Sequence, residues 1–523
     1  MRNLILTGFM GTGKTTVGRL LARRFGLEFV DTDEEIERLI GRSVAEIFAS
    51  EGESGFRQLE TQVFADAVQK EGMAISTGGG TLVSAENRLL LRADDAVVCL
   101  TCEPEIIAQR VGDSGERPLF DARHAHSVTT LLTERESVYA LYPQVETTNL
   151  TPQQVADSIV DLVPVTGAAT FDIPQCQRSN ILFEEGLLTR AGTVMARHGL
   201  TGPVLLLTDS HVAGLPMFGV IQASLKTAEL DVHVHAIPRG EEYKTLQTMD
   251  GVYQAAMQAG LDRSSTVMGV GGGVVGDMAG MLAATYVRGL HLVLIPTTLL
   301  AQVDAAIGGK VGVDFHAAKN MIGAFKPANL VIIDPSALRT LPAPSLADGL
   351  AEVIKIGYMC SRLLISQLDV VTLDDVLDYP HIIRAAAHQK VEVVRRDPLE
   401  RGERMLLNFG HTIGHGLEAA SEYRLSHGQA VSIGMVAETR LAVSRGWCAE
   451  STLETLRSLM LRFSLPTEAE DIDPGAILHF VGQDKKRGAG KIRVAIPREI
   501  GDGIVMDVTV EDVRSVLQRA EKV

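Results

Sequence analysis

Short apolar runs recur along the chain, several passing directly into glycine or an acidic residue. They predict buried strands of open parallel sheets with ligands gathered at the strand ends. In the first third these runs are residues 3–7, 28–30, 74–76 and 96–100, and further on 203–208, 232–237 and 266–270. Residues 164–177 keep no period and carry Gly and Pro, which predicts a linker between a domain over 1–163 and a larger part from 178 onward. Residues 404–427 have a helical period instead, through Leu406, Leu407, Ile413 and Leu417. His411 and His415, four apart, then leave one face of the same helix one turn apart, and His427 follows a short loop.

Composition narrows the class. At 523 residues the chain is long for one core, and two or three domains are expected. A hydrophobic fraction of 46% with 22% charged residues is that of a soluble globular protein. The net charge of −16 argues against nucleic acid as a partner. Cys99, Cys102, Cys176, Cys360 and Cys448 form no paired framework and fit reduced thiols in a cytoplasm. The Cys99-X-X-Cys102 pair stands in an apolar strand without a second pair and reads as two buried thiols. The N-terminus enters a strand without the pattern of a secretory leader, and no apolar run reaches the ~18 residues of a membrane span. A soluble cytoplasmic protein with no membrane partner is expected.

The first domain carries phosphate chemistry. Gly8-Phe-Met-Gly11-Thr12-Gly13-Lys14-Thr15 fits GxxxxGK[ST] between a strand and a helix. Its glycines let backbone N–H groups along Gly11, Thr12, Gly13 and Thr16 converge on phosphate oxygens, while Lys14 reaches the outer phosphates and Thr15 can ligate magnesium. The sheet rule brings Asp31-Thr-Asp33 and Thr77-Gly78-Gly79-Gly80 to the same crevice, with Arg57 in Gly52-Glu-Ser-Gly-Phe-Arg57-Gln-Leu-Glu60 between them in sequence. With these motifs, residues 1–163 resemble shikimate kinase, a P-loop kinase fold of parallel sheet with helices on both faces. The resemblance implies that the phosphates on the P-loop are those of ATP, and that Asp33 takes the hydroxyls of shikimate and helps activate the attacking one. Arg57 and Arg135 would clamp the carboxylate, with Gly79 and Gly80 approaching the ring by backbone. Asp31 would support magnesium through water, Arg117 would close from a lid over the moving phosphoryl group, and Arg110 would lie on adenine. Arg135-Glu-Ser-Val-Tyr139 departs from the family in lacking the usual proline. His124 and His126 in the lid read as solvated loop residues.

In the larger part, Asp209 ends a buried strand where a nucleotide ribose is held, and Gly271-Gly272-Gly273 fits a close backbone approach to a pyrophosphate. A divalent metal with an open position needs about three protein ligands. His411, His415 and His427 offer up to three nitrogens but no carboxylate, and spacing alone leaves open which of them bind. The segments Pro238-Arg-Gly-Glu241-Glu-Tyr-Lys244, Ala283-Ala-Thr-Tyr-Val-Arg288, Pro296-Thr297-Thr298, Gly308-Gly-Lys310, Lys319-Asn320, Ala351-Glu352-Val-Ile-Lys355 and LNFGHTIGH follow one another in a known order. It is the order of 3-dehydroquinate synthase, which residues 178–523 resemble.

This resemblance implies a Rossmann-like NAD-binding α/β part over 178–335, an all-helical metal- and substrate-binding part over 336–523, and a homodimer through this domain. Zinc, or cobalt, would sit on Glu352, His411 and His427, leaving His415 beside the substrate. Asp209, Glu241, Lys244, Gly272, Gly273, Asp277, Thr297 and Thr298 would hold NAD, with Lys310 and Lys319 near it. Arg288, Asp304, Lys310, Asn320, Lys355, Lys390, Arg404, Asn408 and His415 would bind the seven-carbon sugar acid phosphate DAHP. Among them Lys310, Arg404, Asn408 and His415 would serve catalysis, as Lys14, Asp33 and Arg117 would in the kinase. Asp484-Lys485-Lys486 is similar to a late lysine segment of the family.

The implied whole is a fusion of two non-consecutive steps toward chorismate, phosphorylation of shikimate and conversion of DAHP to 3-dehydroquinate with loss of phosphate. Two alternatives stand beside it. The second domain as a metal-dependent NAD polyol dehydrogenase would accumulate NADH; the first as a nucleotide-sensing module would not consume ATP in proportion to product.

Overall fold

Leu4–Gly8 (β1) is buried along its whole length, because a central parallel strand is covered on both faces. The computed structural model describes residues 2–92, 95–112, 125–162, 170–172, 178–316, 318–422, 424–469, 472–485 and 491–518. The chain divides into two compact units, Met1–Gly167 and Ala168–Val523. In the first, β1 is followed by Glu28–Asp31 (β2), Met73–Ser76 (β3), Ala96–Thr101 (β4) and Gln144–Glu146 (β5). These form one parallel sheet in the order β2-β3-β1-β4-β5. β1 and β3 are neighbours, so the P-loop, the end of β2 and the glycine triplet open at the same edge. The apolar core on one face, with Leu4, Leu6, Val17, Leu21, Val98 and Ile159, fixes the register.

Only Cys99 of the thiol pair is fully buried; Cys102 is half-buried, because β4 ends at Thr101 and leaves it beyond the sheet. Burial pushes the Cys99 thiol up to about 12. His126, expected in a loop, lies in the helix Ala125–Tyr139.

The second unit starts inside the expected linker. Thr170–Asp172 (β6) pairs antiparallel with Arg178–Phe183 (β7), since three residues after a Gly-containing stretch suffice to cap an open edge. Then come Val204–Asp209 (β8), Val232–Ile237 (β9), Thr266–Gly271 (β10), His291–Pro296 (β11), Lys310–Phe315 (β12), Ala318–Phe325 (β13) and Leu330–Ile333 (β14). The main sheet runs β6-β7-β14-β11-β10-β8-β9, parallel except for β6. β12 and β13 form a separate antiparallel hairpin, with Val311 packed on Gly280 of the helix Gly273–Thr285.

From Ala343 onward the unit is helical, with one addition to the expected all-helical part. Ile492–Glu499 (β15) and Asp502–Val508 (β16) form an antiparallel hairpin. Its alternating Ile492, Val494 and Ile496 are buried against Ile413, Leu417 and Ile433. The periodic run 404–427 is broken as well. Gly410 at φ 78 separates a tight helical turn, Glu403–Asn408, from the helix His411–Ala420, and His427 opens the next helix, His427–Ser444. The two helices touch through glycine: a Cβ on Gly434 would fall 2.0 Å from the Gly410 carbonyl oxygen. Among the described residues no helix is long and apolar enough to cross a membrane.

Candidate active sites

The kinase-like cavity, of about 760 Å³, is lined by Gly11, Gly13, Lys14, Thr15 and Thr16 of the P-loop, Asp31 and Asp33 after β2, and Arg57, Gly79, Gly80, Arg110 and Arg135. Thr12 is part of the loop but turns inward, its hydroxyl donating to the Phe9 carbonyl at 2.7 Å. Lys14 Nζ donates to the carbonyls of Gly8 and Phe9, both at 2.8 Å. The Thr15 hydroxyl donates to Asp31 Oδ2 at 2.7 Å. Asp31 caps the helix Thr32–Ile40 through its other oxygen, which accepts from Asp33 N, so Asp33 stands on the first turn of that helix. Arg110 donates to the carbonyls of Gly11 and Thr147 at 3.3 and 2.9 Å.

Arg57 donates to Glu60 at 2.8 Å, and a Cβ on Gly80 would collide with the Arg57 guanidinium at 2.3 Å. Arg135 and Tyr139 both donate to the Gly79 carbonyl, at 3.3 and 2.7 Å, so the segment reaches the glycine loop without the usual proline. Glu60 was not assigned from sequence. It is 1% exposed and accepts from both Arg57 and Thr81, and its spacing of three from Arg57 on a helix is the signal that could have found it. Arg117 and His124 lie outside the described residues.

In the second unit the helix Gly273–Thr285 starts at the carboxyl end of β10, with Gly272 and Gly273 at its N-terminus. Beside it Lys244 Nζ donates to Asp277 at 2.5 Å and to Asn320 Oδ1 at 2.6 Å, with Glu241 3.9 Å away. Burial pushes the Asp277 carboxyl up to about 6 against the pull of Lys244. Asp209, at the end of β8, accepts from the N–H groups of His211 and Val212. Thr297 is buried where β11 ends, with its N–H on the Gly271 carbonyl at 3.0 Å, and Thr298 faces Gly272.

Asp304 lies on a wide helical turn closed by an Ala306 N–H bond to the Ala301 carbonyl. Both Lys355 and Lys390 reach its carboxylate, Lys355 at 2.6 Å, and Lys355 also touches Glu352. Burial opposes the charge on all three. Two carboxylates outweigh this at Lys355 and hold it protonated, whereas Lys390, sharing Asp304 with another cation, is pulled down to about 8. Arg404, 3% exposed, donates to the carbonyls of Gly308 and Pro398 at 3.2 and 2.7 Å. Asn408 donates to Glu400 at 2.9 Å, and Lys310 contacts the same carboxylate. Lys319 reaches Glu418 at 3.0 Å.

The histidines cluster. His427 Nε2 lies 3.1 Å and His411 Nε2 3.5 Å from Glu352 Oε1, and the ligand atoms of these three residues are all within 4.8 Å of one another. The ligand atoms of His415, Glu418 and His427 likewise lie within 4.8 Å of one another. Burial, reinforced by Lys355, holds His411 well below the usual imidazole range, so it is neutral. Burial also opposes charge on His427, but Glu352 and Glu418 overcome it and push the pKa up to about 10. The cluster thus attracts a positive charge at this point.

Arg288 is not brought to the cluster. It stands on the turn Tyr286–Arg288 before β11, at the far end of the helix that starts at Gly273. Thirteen residues at 1.5 Å each put it about 20 Å from the glycine loop. Lys486 and the side chain of Lys485 lie outside the described residues. Sequence reasoning assigned no role to Glu400, Glu418 or Glu438. Glu438, fully buried, accepts from the N–H groups of Gly410 and Ile413 at 2.7 and 3.3 Å and so caps the helix bearing His411. A glutamate in the middle of an apolar helix is the signal it offered.

Comparison with known proteins agrees with both halves. The shikimate kinase family model matches residues 10–164, and the N- and C-terminal models of 3-dehydroquinate synthase match 234–348 and 349–487. A 3-dehydroquinate synthase of Pelobacter propionicus is 40% identical over 339 residues, 64% of this chain and 94% of that protein. One from Caldanaerobacter subterraneus subsp. tengcongensis is 40% identical over 344 residues, 65% of this chain and 96% of that protein. Among solved structures, a 2-epi-5-epi-valiolone synthase from Streptomyces hygroscopicus subsp. jinggangensis 5008, with NAD+ and Zn2+ bound, is 28% identical. It covers 69% of this chain and 99% of its own, at a TM-score of 0.61. These matches set aside the polyol dehydrogenase and the nucleotide sensor. The chain belongs to the 3-dehydroquinate synthase family and carries a shikimate kinase domain ahead of it, as a bifunctional enzyme of the shikimate pathway.

Proposed function

We propose that the first unit phosphorylates shikimate in the cavity over the P-loop, and that the second converts DAHP to 3-dehydroquinate beside Glu352, His411 and His427. The observation that carries the second assignment is the meeting of one carboxylate and two imidazoles within 4.8 Å, bordered by Lys355 and Asp304. Such a donor set fits zinc, with cobalt as the alternative, and the pull of the cluster on positive charge fits a divalent cation. When bound, zinc would polarise the substrate's alcohol and ketone oxygens as a Lewis acid, and NAD would take and return the hydride without net reduction.

The chain's own groups do the positioning. The N-terminus of the helix Gly273–Thr285, open at Gly272, suits a pyrophosphate, and Asp209, Glu241, Lys244, Asp277, Thr297 and Thr298 surround it as NAD ligands. Lys310, Lys319, Lys355, Lys390 and Arg404, with Asn320, Asn408 and His415, hold the phosphate, carboxylate and hydroxyls of DAHP. Each of these four lysines rests on a carboxylate that the substrate anion can displace.

In the kinase half, Thr15 and Asp31 present a hydroxyl and a carboxylate together, a hard-oxygen set that fits magnesium. Lys14 and Arg110 serve ATP. Asp33 takes the shikimate hydroxyl, and Arg57, held by Glu60, clamps the carboxylate with Arg135. Phosphoryl transfer needs chiefly this positioning and charge neutralisation.

The test uses the purified chain with DAHP and catalytic NAD. Phosphate released in proportion to DAHP, with no lasting NADH absorbance, lost on chelation and restored by zinc, is the expected result. Absence of release from folded, zinc-loaded protein would overturn the assignment. We further propose a cytoplasmic homodimer through the second unit, in which Arg288 meets DAHP in a second copy rather than in its own chain. Sedimentation at micromolar concentration should give twice the chain mass, and a single-chain mass would remove Arg288 from the site.

A further inference from the structure

Glu418 lies on the helix His411–Ala420, one turn beyond His415, and is 3% exposed. Its Oε1 stands 3.4 Å from Nδ1 of His427 and 3.0 Å from Nζ of Lys319. The other nitrogen of the same ring, Nε2, is 3.1 Å from Glu352 Oε1. A divalent ion bound through one nitrogen would take the place of that nitrogen's proton and leave a neutral ring with a single N–H, on the nitrogen that faces the other acceptor. At His411 that acceptor is the Phe409 carbonyl, 3.1 Å from Nδ1, which leaves Nε2 for Glu352 and the metal position. At His427 no backbone carbonyl plays this part among the described contacts, and the carboxylate on Nδ1 is Glu418.

We propose that Glu418 is a positioning residue: it keeps the His427 proton on Nδ1 so that Nε2 faces the metal position. This rests on the reading of Glu352, His411 and His427 as the ligand set. Metal-bound imidazoles characteristically donate their second N–H to a carboxylate or carbonyl, which fixes ring orientation and raises ligand basicity. Through Lys319, on the β12–β13 hairpin, Glu418 also ties this orientation to the α/β part that carries the NAD-site residues. The competing arrangement, in which Glu418 is itself a ligand with His415 and His427, brings a divalent ion next to the Lys319 ammonium that already shares the Glu418 oxygen. Lys355 also touches Glu352, but at Oε2, and leaves Oε1 to the two histidines, whereas Lys319 holds the same Glu418 oxygen that faces His427; this difference favours the positioning role.

The experiment measures zinc affinity of the full-length protein by competition with a chromophoric chelator, together with the visible spectrum of the cobalt-loaded form. Glu418→Ala is expected to weaken zinc binding about 10- to 100-fold and to alter the cobalt spectrum. Glu418→Gln, which keeps an oxygen acceptor, should recover most of both. NAD binding and the thermal unfolding transition report whether each variant is folded. Should the alanine variant fail to fold, Glu418→Met, which keeps the bulk but offers no strong acceptor, takes its place: zinc binding weaker than in Glu418→Gln supports the role, and wild-type affinity and spectrum overturn it. Wild-type affinity and spectrum in a folded Glu418→Ala protein would overturn it as well. So would complete loss of zinc in Glu418→Ala while Glu352→Gln still binds, since Glu418 would then be a ligand. A wild-type chain that takes up no zinc would instead bring down the ligand-set reading, and this inference with it.

Discussion

Replacing His411 by alanine is expected to lower phosphate release from DAHP on the order of a thousandfold, the several kcal/mol that a catalytic metal contributes. Shikimate phosphorylation should stay unchanged. The ring removed is one of two imidazoles facing Glu352, and one imidazole with one carboxylate leaves a divalent ion under-coordinated. The fold should survive, because alanine is a good helix former and the helix start remains capped by Glu438 on the N–H groups of Gly410 and Ile413. Zinc content and kcat/KM measured on the same sample separate loss of metal from loss of chemistry. Activity within about tenfold of the unsubstituted chain would remove His411 from the site, given what such ligands contribute.

Lys14→Ala is the mirror experiment, with shikimate phosphorylation falling on the order of a thousandfold through lost charge stabilisation of the transferring phosphoryl group. Release of phosphate from DAHP should be unaffected, because the P-loop and the histidine cluster belong to separate compact units. In this structure Lys14 also bonds the carbonyls of Gly8 and Phe9, so part of the loss comes from a looser loop. Nucleotide affinity measured alongside kcat divides the two contributions: a loosened loop weakens binding, while lost transition-state stabilisation lowers kcat. If either substitution abolished both reactions, the two halves would not be independent.

What was legible in the sequence is what short range dictates. A P-loop is a local object whose strand, glycines and lysine are contiguous, and the buried strands announced themselves as apolar runs. The partners that orient those groups were not legible, because they act across long separations. Glu60 was the nearest exception, three residues from Arg57, whereas Glu352 stands 75 residues from His427. Glu438 caps a helix 25 residues earlier, and only through the close approach of Gly434 to Gly410. Arg288 shows another limit of sequence distance. It follows the glycine loop closely in sequence, yet the intervening helix carries it to the opposite end of the strands. The β12–β13 hairpin escaped notice because Gly312 and Gly323 face each other across it and interrupt the alternation that marks a strand.

The edge strand Thr170–Asp172 bears on how the two halves could be separated. It covers the outer hydrogen-bonding groups of β7, which would otherwise offer an open template to any extended chain. A cut placed after Asp172 would hand that strand to the kinase fragment and release a synthase prone to self-association through β7. A cut between Gly167 and Ala168 leaves the protecting strand with the sheet it guards. Three residues of the segment between the enzymes thus belong, by their pairing, to the second one, and a separation that respects the sheet keeps them there.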